Sequence, residues 1–251
     1  MEPYLHATDG DEKLALTLYI WHTDLTAAIQ QMLGITEVVL RNAMDAQLQK
    51  WNRSQGGSSW LLEEPAAPLR SLSAGKRKDA LHRATRQAVL RDTEHRRYGA
   101  AVQHDDVLAQ MMFGLWKDLL PNYAPDASPG AQTNLSRARL WEEGLRFAFP
   151  HEDDPEGSIT YWRVARTHLL RNRVSHMEPL LAIDVQDHMR KAFGLIRSID
   201  PTVADWATGV SRIGEVLNRR PSCVPEKGKS LRAHTSRRLF QIMMRDLVLT
   251  C

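Results

Sequence analysis

Asp11-Glu12-Lys13-Leu14-Ala15-Leu16-Thr17-Leu18-Tyr19-Ile20-Trp21-His22-Thr23-Asp24-Leu25-Thr26-Ala27-Ala28-Ile29-Gln30-Gln31-Met32-Leu33 sets Leu14, Leu18, Trp21, Leu25, Ile29 and Met32 three or four residues apart. That period places the apolar side chains along one face of a helix. The stretch predicts an amphipathic helix over 11–33, with Gly34 bending the chain behind it. A second helix is expected over 35–51, where Glu37 and Arg41 stand one turn apart and form an ion pair. Gly56, Gly57, Pro65 and Pro68 mark a loop. Further helices are predicted over 76–98 and 107–120, the latter capped near Asp105 and ended by Pro121. Residues 121–130 carry Pro121, Pro125, Pro129 and Gly130, which predicts a flexible internal segment and the best boundary candidate. Helices follow over 134–149, 184–199, 202–217 and 229–249, with Asp200-Pro201 as N-cap and first-turn proline of the third. No alternating strand pattern and no internal repeat is present. The expected fold class is all-α, a single helical domain over 1–251.

Hydrophobic residues make up 43% and charged residues 25% of the 251, ordinary values for a globular protein with a real core. No apolar run approaches a membrane span, and the first 30 residues lack the order of a secretion signal. A soluble, cytoplasmic protein without membrane contact is expected. Cys223 and Cys251 match no zinc or redox spacing. The net charge of +3 is unevenly spread. Between Lys76 and Arg97 eight Lys or Arg face three acids, and between Arg212 and Arg245 nine face two. With Arg163, Arg166, Arg171 and Arg173, these patches suit a polyanion.

The densest chemistry lies in Leu169-Leu170-Arg171-Asn172-Arg173-Val174-Ser175-His176-Met177-Glu178-Pro179. Ser158 is the expected N-cap of the helix carrying it, and Pro179 stops that helix just after His176. Arg171 and His176 then point about 140° apart, whereas Asn172 and His176 share a face with Leu169. One helix therefore brings both to a single phosphate only if its end unwinds or a second copy contributes. Metal-free RNA cleavage needs a base, an acid and a cation for the developing charge, roles that histidine and arginine fill. The plainer reading is a basic helix C-terminus complementing the helix dipole.

Several segments in order carry a wider resemblance. They are Glu37-Val38-Val39-Leu40-Arg41-Asn42, Phe113-Gly114-Leu115-Trp116, Leu140-Trp141 with Ala148-Phe149-Pro150-His151, the Arg-x4-His segment, and Trp206 through Arg220-Pro221. Together they resemble the bacterial Abi-like (abortive infection) family of the HEPN superfamily, over most of the chain from about Leu14 to Pro221. The resemblance implies a HEPN-type helical bundle with additional helices, a homodimer with a composite active site, and an endoribonuclease toxin acting in phage defence. It makes Arg171 and His176 the catalytic pair and Asn172 the residue orienting His176. Arg173 and Arg166 become supporting RNA contacts, with Glu37, Arg41 and Asn42 as a second recurrent segment read as a structural ion pair. Met177 stands where such sequences often have a second histidine, and no tyrosine lies beside His176. The mechanism implied passes through the 2′-hydroxyl, leaves a 2′,3′-cyclic phosphate, and needs no metal or other cofactor. An antitoxin protein or small RNA is a possible further partner.

Other readings differ in class. A non-catalytic helical RNA-binding or dimeric assembly module would use Arg171 and His176 to grip phosphate. A helix-turn-helix regulator lacks a recognition helix with a short glycine-containing turn. His151 with Glu152, Asp153 and Asp154, and His104 with Asp105 and Asp106, lack metal-ligand spacing on a helix and read as solvated loops. The seven tryptophans read as core, and the remaining histidines, His168 among them, as scattered.

Overall fold

The computed structural model describes residues 1–222; the helix expected over 229–249, much of the second basic patch and both cysteines lie outside the described residues. Every regular element among the described residues is helical, so the fold is all-α. Helix α1 spans Glu2–Ala7, α2 Glu12–Ser54, α3 Leu69–Val89, α4 His104–Leu108 and α5 Phe113–Asp118. After them come α6 (Gln132–Glu143), a 3₁₀ turn (Leu145–Ala148), α7 (Ser158–Ser175), α8 (Val185–Ile199), α9 (Pro201–Val210) and α10 (Ile213–Asn218). The chain forms two compact units. The first holds Met1–Met32, Arg173–Asp184 and the described residues from Val210 on; the second holds Leu33–Asn172 and Val185–Gly209.

Several boundaries differ from those expected. Gly34 does not end the first helix, and α2 runs through it as one element of 43 residues. A single exposed glycine costs a helix only about 1 kcal/mol, less than its flanking turns contribute when Leu33, Thr36 and Leu40 are buried. The helix expected over 107–120 is two short ones separated at 109–112. That expected over 134–149 breaks at Gly144, where an added Cβ would lie 3.2 Å from the Cβ of Trp51. The helix expected over 202–217 is likewise two, although Asp200 caps its start as predicted, accepting the Thr202 and Val203 amides at 2.8 and 3.2 Å. Residues 121–130 fall inside the second unit and do not mark the division. The side-chain oxygen of Asn134 accepts the Asn122 amide at 2.7 Å, and the Tyr123 hydroxyl donates to the Glu156 carbonyl at 2.8 Å.

In the first unit His22 is buried, its Nε2 accepting the Leu180 amide at 3.1 Å and its Nδ1 lying 2.8 Å from the Tyr4 hydroxyl. An acceptor Nε2 requires the neutral ring, in agreement with burial holding His22 below the usual histidine value. Trp21 donates its indole N–H to the Val216 carbonyl at 2.8 Å, with the Arg220 guanidinium 5.3 Å above its ring.

The second unit is built on tryptophans. Trp51, Trp60, Trp116 and Trp141 are buried, and Trp60 meets Trp116 edge to face at 6.4 Å. Each buries on the order of 150–250 Å², worth about 4–6 kcal/mol of transfer free energy before ordering costs. Against this core α7 lays Tyr161 and Val164, and Thr167 and Leu170 continue the buried stripe along the helix.

The two ends of α7 are specified chemically. Ser158 is not its cap. The buried Asp154 carboxylate accepts the Ile159 and Thr160 amides at 3.3 and 2.8 Å, filling orphan donors at the positive end of the helix dipole. Gly157 precedes it with φ +81°, and an added Cβ would stand 2.9 Å from the Trp141 ring. At the other end the helix closes before Pro179 acts. Glu178 donates its amide to the Arg173 carbonyl at 2.9 Å and Met177 to Val174 at 3.1 Å, with Met177 at φ +54°. This is a Schellman closure with methionine in the left-handed place glycine usually takes, and His176 is the residue before it.

Gly157→Ala combines left-handed strain with overpacking and is expected to cost about 2–4 kcal/mol in denaturant melts. Gly56→Ala, at φ +86° with open space around it, should cost only about 1 kcal/mol. Met177→Gly should raise stability by up to about 1 kcal/mol, read as a shift in denaturation midpoint.

Candidate functional site

Helices α3, α5 and α7 of the second unit enclose a cavity of about 320 Å³. Lys76, Asp79 and Arg83 reach it from α3 at a helical spacing of three and four. Met112 through Leu115 form another wall, and His168, Arg171 and Asn172 come from α7. These last three sit at i, i+3 and i+4, within about 100° of arc, on the side of the helix that buried Val164 and Tyr161 occupy one and two turns earlier. Three cationic side chains thus line one cleft with a single carboxylate.

His168 is the residue that sequence reasoning missed. Its ring lies parallel to Phe113, 5.4 Å between centroids and 8° between planes, and its Nε2 is 3.4 Å from the Asn172 side-chain nitrogen. With Asn172 donating, Nε2 is an acceptor and the ring is neutral. Burial holds its pKa below the usual histidine value, and the Lys117 cation pushes the same way; Asp118 opposes them. The signal was present in the spacing, because His168 shares a face with both Arg171 and Asn172.

Arg171 faces Glu37 of α2, Nε to carboxylate 3.8 Å. Glu37 therefore bridges to α7, not along its own helix to Arg41 as the spacing predicted; Arg41 donates to the side chain of neighbouring Asn42 at 3.4 Å. The interhelical pair is favoured because Glu37 and Arg171 are both partly shielded, where attraction is less screened than on an open helix face. Lys76 is held by Asp118 and by the Gly114 carbonyl at 3.2 Å, and Arg83 donates to the Gln110 carbonyl at 2.8 Å. The cleft is basic, with its cations fixed in place.

The Arg-x4-His segment is divided. Arg171 and Asn172 belong to the second unit, Arg173 and His176 to the first. His176 is exposed at the C-terminal end of α7, and Arg173 pairs with Glu178 at 3.5 Å. Arg166 is exposed in a shallow hollow with Trp162, Ile159 and Lys191. Trp162 and Trp206 are respectively 41% and 56% exposed, so these two rings do not belong to the core as expected. Neither histidine–acid cluster is the solvated loop that was expected: Asp154 caps α7, Asp106 binds Arg91 and Arg97, and His104 is bound on both ring nitrogens. Among the described residues no group of three potential ligands assembles for a metal, and no helix is long and apolar enough to cross a membrane.

In comparisons with known proteins no family model, curated protein or solved structure matches the chain.

His168 should titrate below 6.5 in a histidine-resolved NMR series, remaining an acceptor while exposed histidines protonate. Lys117→Gln removes a cation that disfavours the charged ring, so the midpoint should move upward. An unchanged midpoint would leave the depression to burial and to the Arg171 and Lys76 cations.

Proposed function

We propose that this protein is a metal-independent endoribonuclease of the HEPN type, related to the Abi-like family and acting in phage defence by abortive infection. The observation that carries the reading is the cleft in which Arg171 and Asn172 meet Lys76, Arg83 and a neutral histidine. A phosphodiester needs cations to enter such a site, and its attack by a neighbouring hydroxyl needs an unprotonated base there. On the opposite side of α7, the hollow of Trp162, Arg166 and Lys191 adds an exposed ring with cations, which suits a single-stranded base and its phosphate.

In the proposed mechanism His176 of one copy takes the 2′-hydroxyl proton, and the oxygen attacks the adjacent phosphorus in line. A second copy's His176 protonates the departing 5′-oxygen, while Arg171 stabilises the charge on the phosphorane. The homodimer supplies both histidines, and an antitoxin protein or small RNA would hold the toxin silent. The alternative base in this proposal is His168, supported by its position in the cleft, whereas His176 rests on the resemblance. A non-catalytic RNA-binding or dimeric assembly module is the second reading, favoured by the Glu37–Arg171 pair, which fixes Arg171 structurally.

Labelled single-stranded RNA incubated in EDTA with purified protein tests these readings. Cleavage with cyclic-phosphate ends is expected, falling by about 10²-fold or more in Arg171→Ala and His176→Ala. Loss in His168→Ala with retention in His176→Ala would move the base to His168. Bound, intact RNA in every variant would establish the binding module, and cleavage only on divalent addition would refute metal independence.

A further inference from the structure

Away from that cleft, Ser59, His104 and Asp45 form a continuous hydrogen-bonded chain within the second unit. The Ser59 hydroxyl lies 2.8 Å from His104 Nδ1, and His104 Nε2 lies 2.9 and 3.2 Å from the two Asp45 oxygens. Asp45 also accepts the indole N–H of buried Trp60 at 2.7 Å. The carboxylate, an acceptor only, fixes the imidazole with its proton on Nε2. Nδ1 is then left as an acceptor aimed at the Ser59 hydroxyl. This is the order of roles that converts serine to a nucleophile, with the two ring nitrogens exchanged relative to the commoner arrangement. The Leu62 amide donates to Ser59 Oγ at 3.1 Å and holds the hydroxyl in place against the imidazole.

Burial separates the three groups by role. Asp45 and His104 retain only 14% and 21% of their side-chain exposure, which keeps the pair ordered, while Ser59 is half-buried at the wall of an open cavity of about 750 Å³. Gln49, Lys50 and Arg53 line the same cavity from α2. A Ser59 present only to cap its turn would need the Leu62 amide and no histidine. A His104 present only to bind Asp45 would need no hydroxyl.

We propose that Ser59, His104 and Asp45 form a second catalytic site, a serine nucleophile for acyl transfer from small carboxylic esters. Ser59 Oγ bonds to the acyl carbon as its proton passes to His104 Nδ1. The ester C–O bond breaks, and the alcohol leaves with that proton. Water then attacks the acyl-serine, gives a proton to Nδ1, and the carboxylic acid departs as Ser59 regains its hydroxyl proton. Ser59 and His104 are the catalytic residues; Asp45 is a positioning residue acting through His104.

A fluorophosphonate probe reads the nucleophile directly, forming an Oγ–P bond with loss of fluoride. The full chain should gain one adduct, mapped to Ser59 by peptide mass spectrometry and absent in Ser59→Ala. His104→Gln should slow labelling by about 100-fold or more. Asp45→Asn should lower the maximal labelling rate while the probe's half-saturating concentration is unchanged, a split that loss of packing alone would not produce. Folded wild-type protein without an adduct on Ser59, or labelling of His104→Gln at the wild-type rate, would overturn the proposal.

Discussion

The contact on which the rest depends is the buried Asp154 carboxylate receiving the first amides of α7. It sets where the helix begins, and a helix that begins at a fixed residue has every later side chain fixed in azimuth. Tyr161 and Val164 consequently enter the tryptophan core, and His168, Arg171 and Asn172 turn toward α3 and α5. A start displaced by one residue would rotate the cleft residues by about 100°, out of register with α3 and α5. Gly157 belongs to the same device, since only a residue without a Cβ passes the Trp141 ring at that angle.

Charge in the α3 region serves structure before it serves a ligand. Arg91 and Arg97 converge on Asp106, Arg77 donates to the Glu63 carbonyl at 2.8 Å, and Lys76 is held by Asp118. Asp106 answers its two arginines with a carboxyl held below its usual range: although burial is the largest influence and opposes this, hydrogen bonds from Arg97, the Gln103 amide and Arg91 together prevail. What reads in one dimension as a polyanion patch is, in three, largely a set of tethers for the loops between helices. The cleft inherits its positive potential from cations whose positions those tethers already determine.

This explains what could be read in advance. Helical class followed from apolar spacing, because burial of one face is a local pattern with a global consequence. The Asp200-Pro201 start was legible for the same reason, its partners being two and three residues away. The break at Gly144 was not, since it answers to Trp51, more than 90 residues distant. The choice of Glu37 between Arg41 and Arg171 depends on interhelical proximity that no spacing rule contains. Asp154 displaced Ser158 as cap because a carboxylate reaches over an intervening turn. His168 could have been found by asking which histidine shares a face with Arg171, a question that the Arg-x4-His pattern directs elsewhere.

The distribution of tryptophans has an optical consequence. Six of the seven lie in the second unit, leaving Trp21 as the sole indole of the first. Its N–H is bound to a carbonyl and a guanidinium lies over its ring, so its excited state senses both a hydrogen bond and a nearby positive charge. Any event that alters the Arg220 or Val216 contact is therefore written into the emission of one chromophore, while the second unit's signal arises from four buried rings and two exposed ones. Trp21 is thus the one indole whose contribution to the emission reports on the unit in which His176 resides.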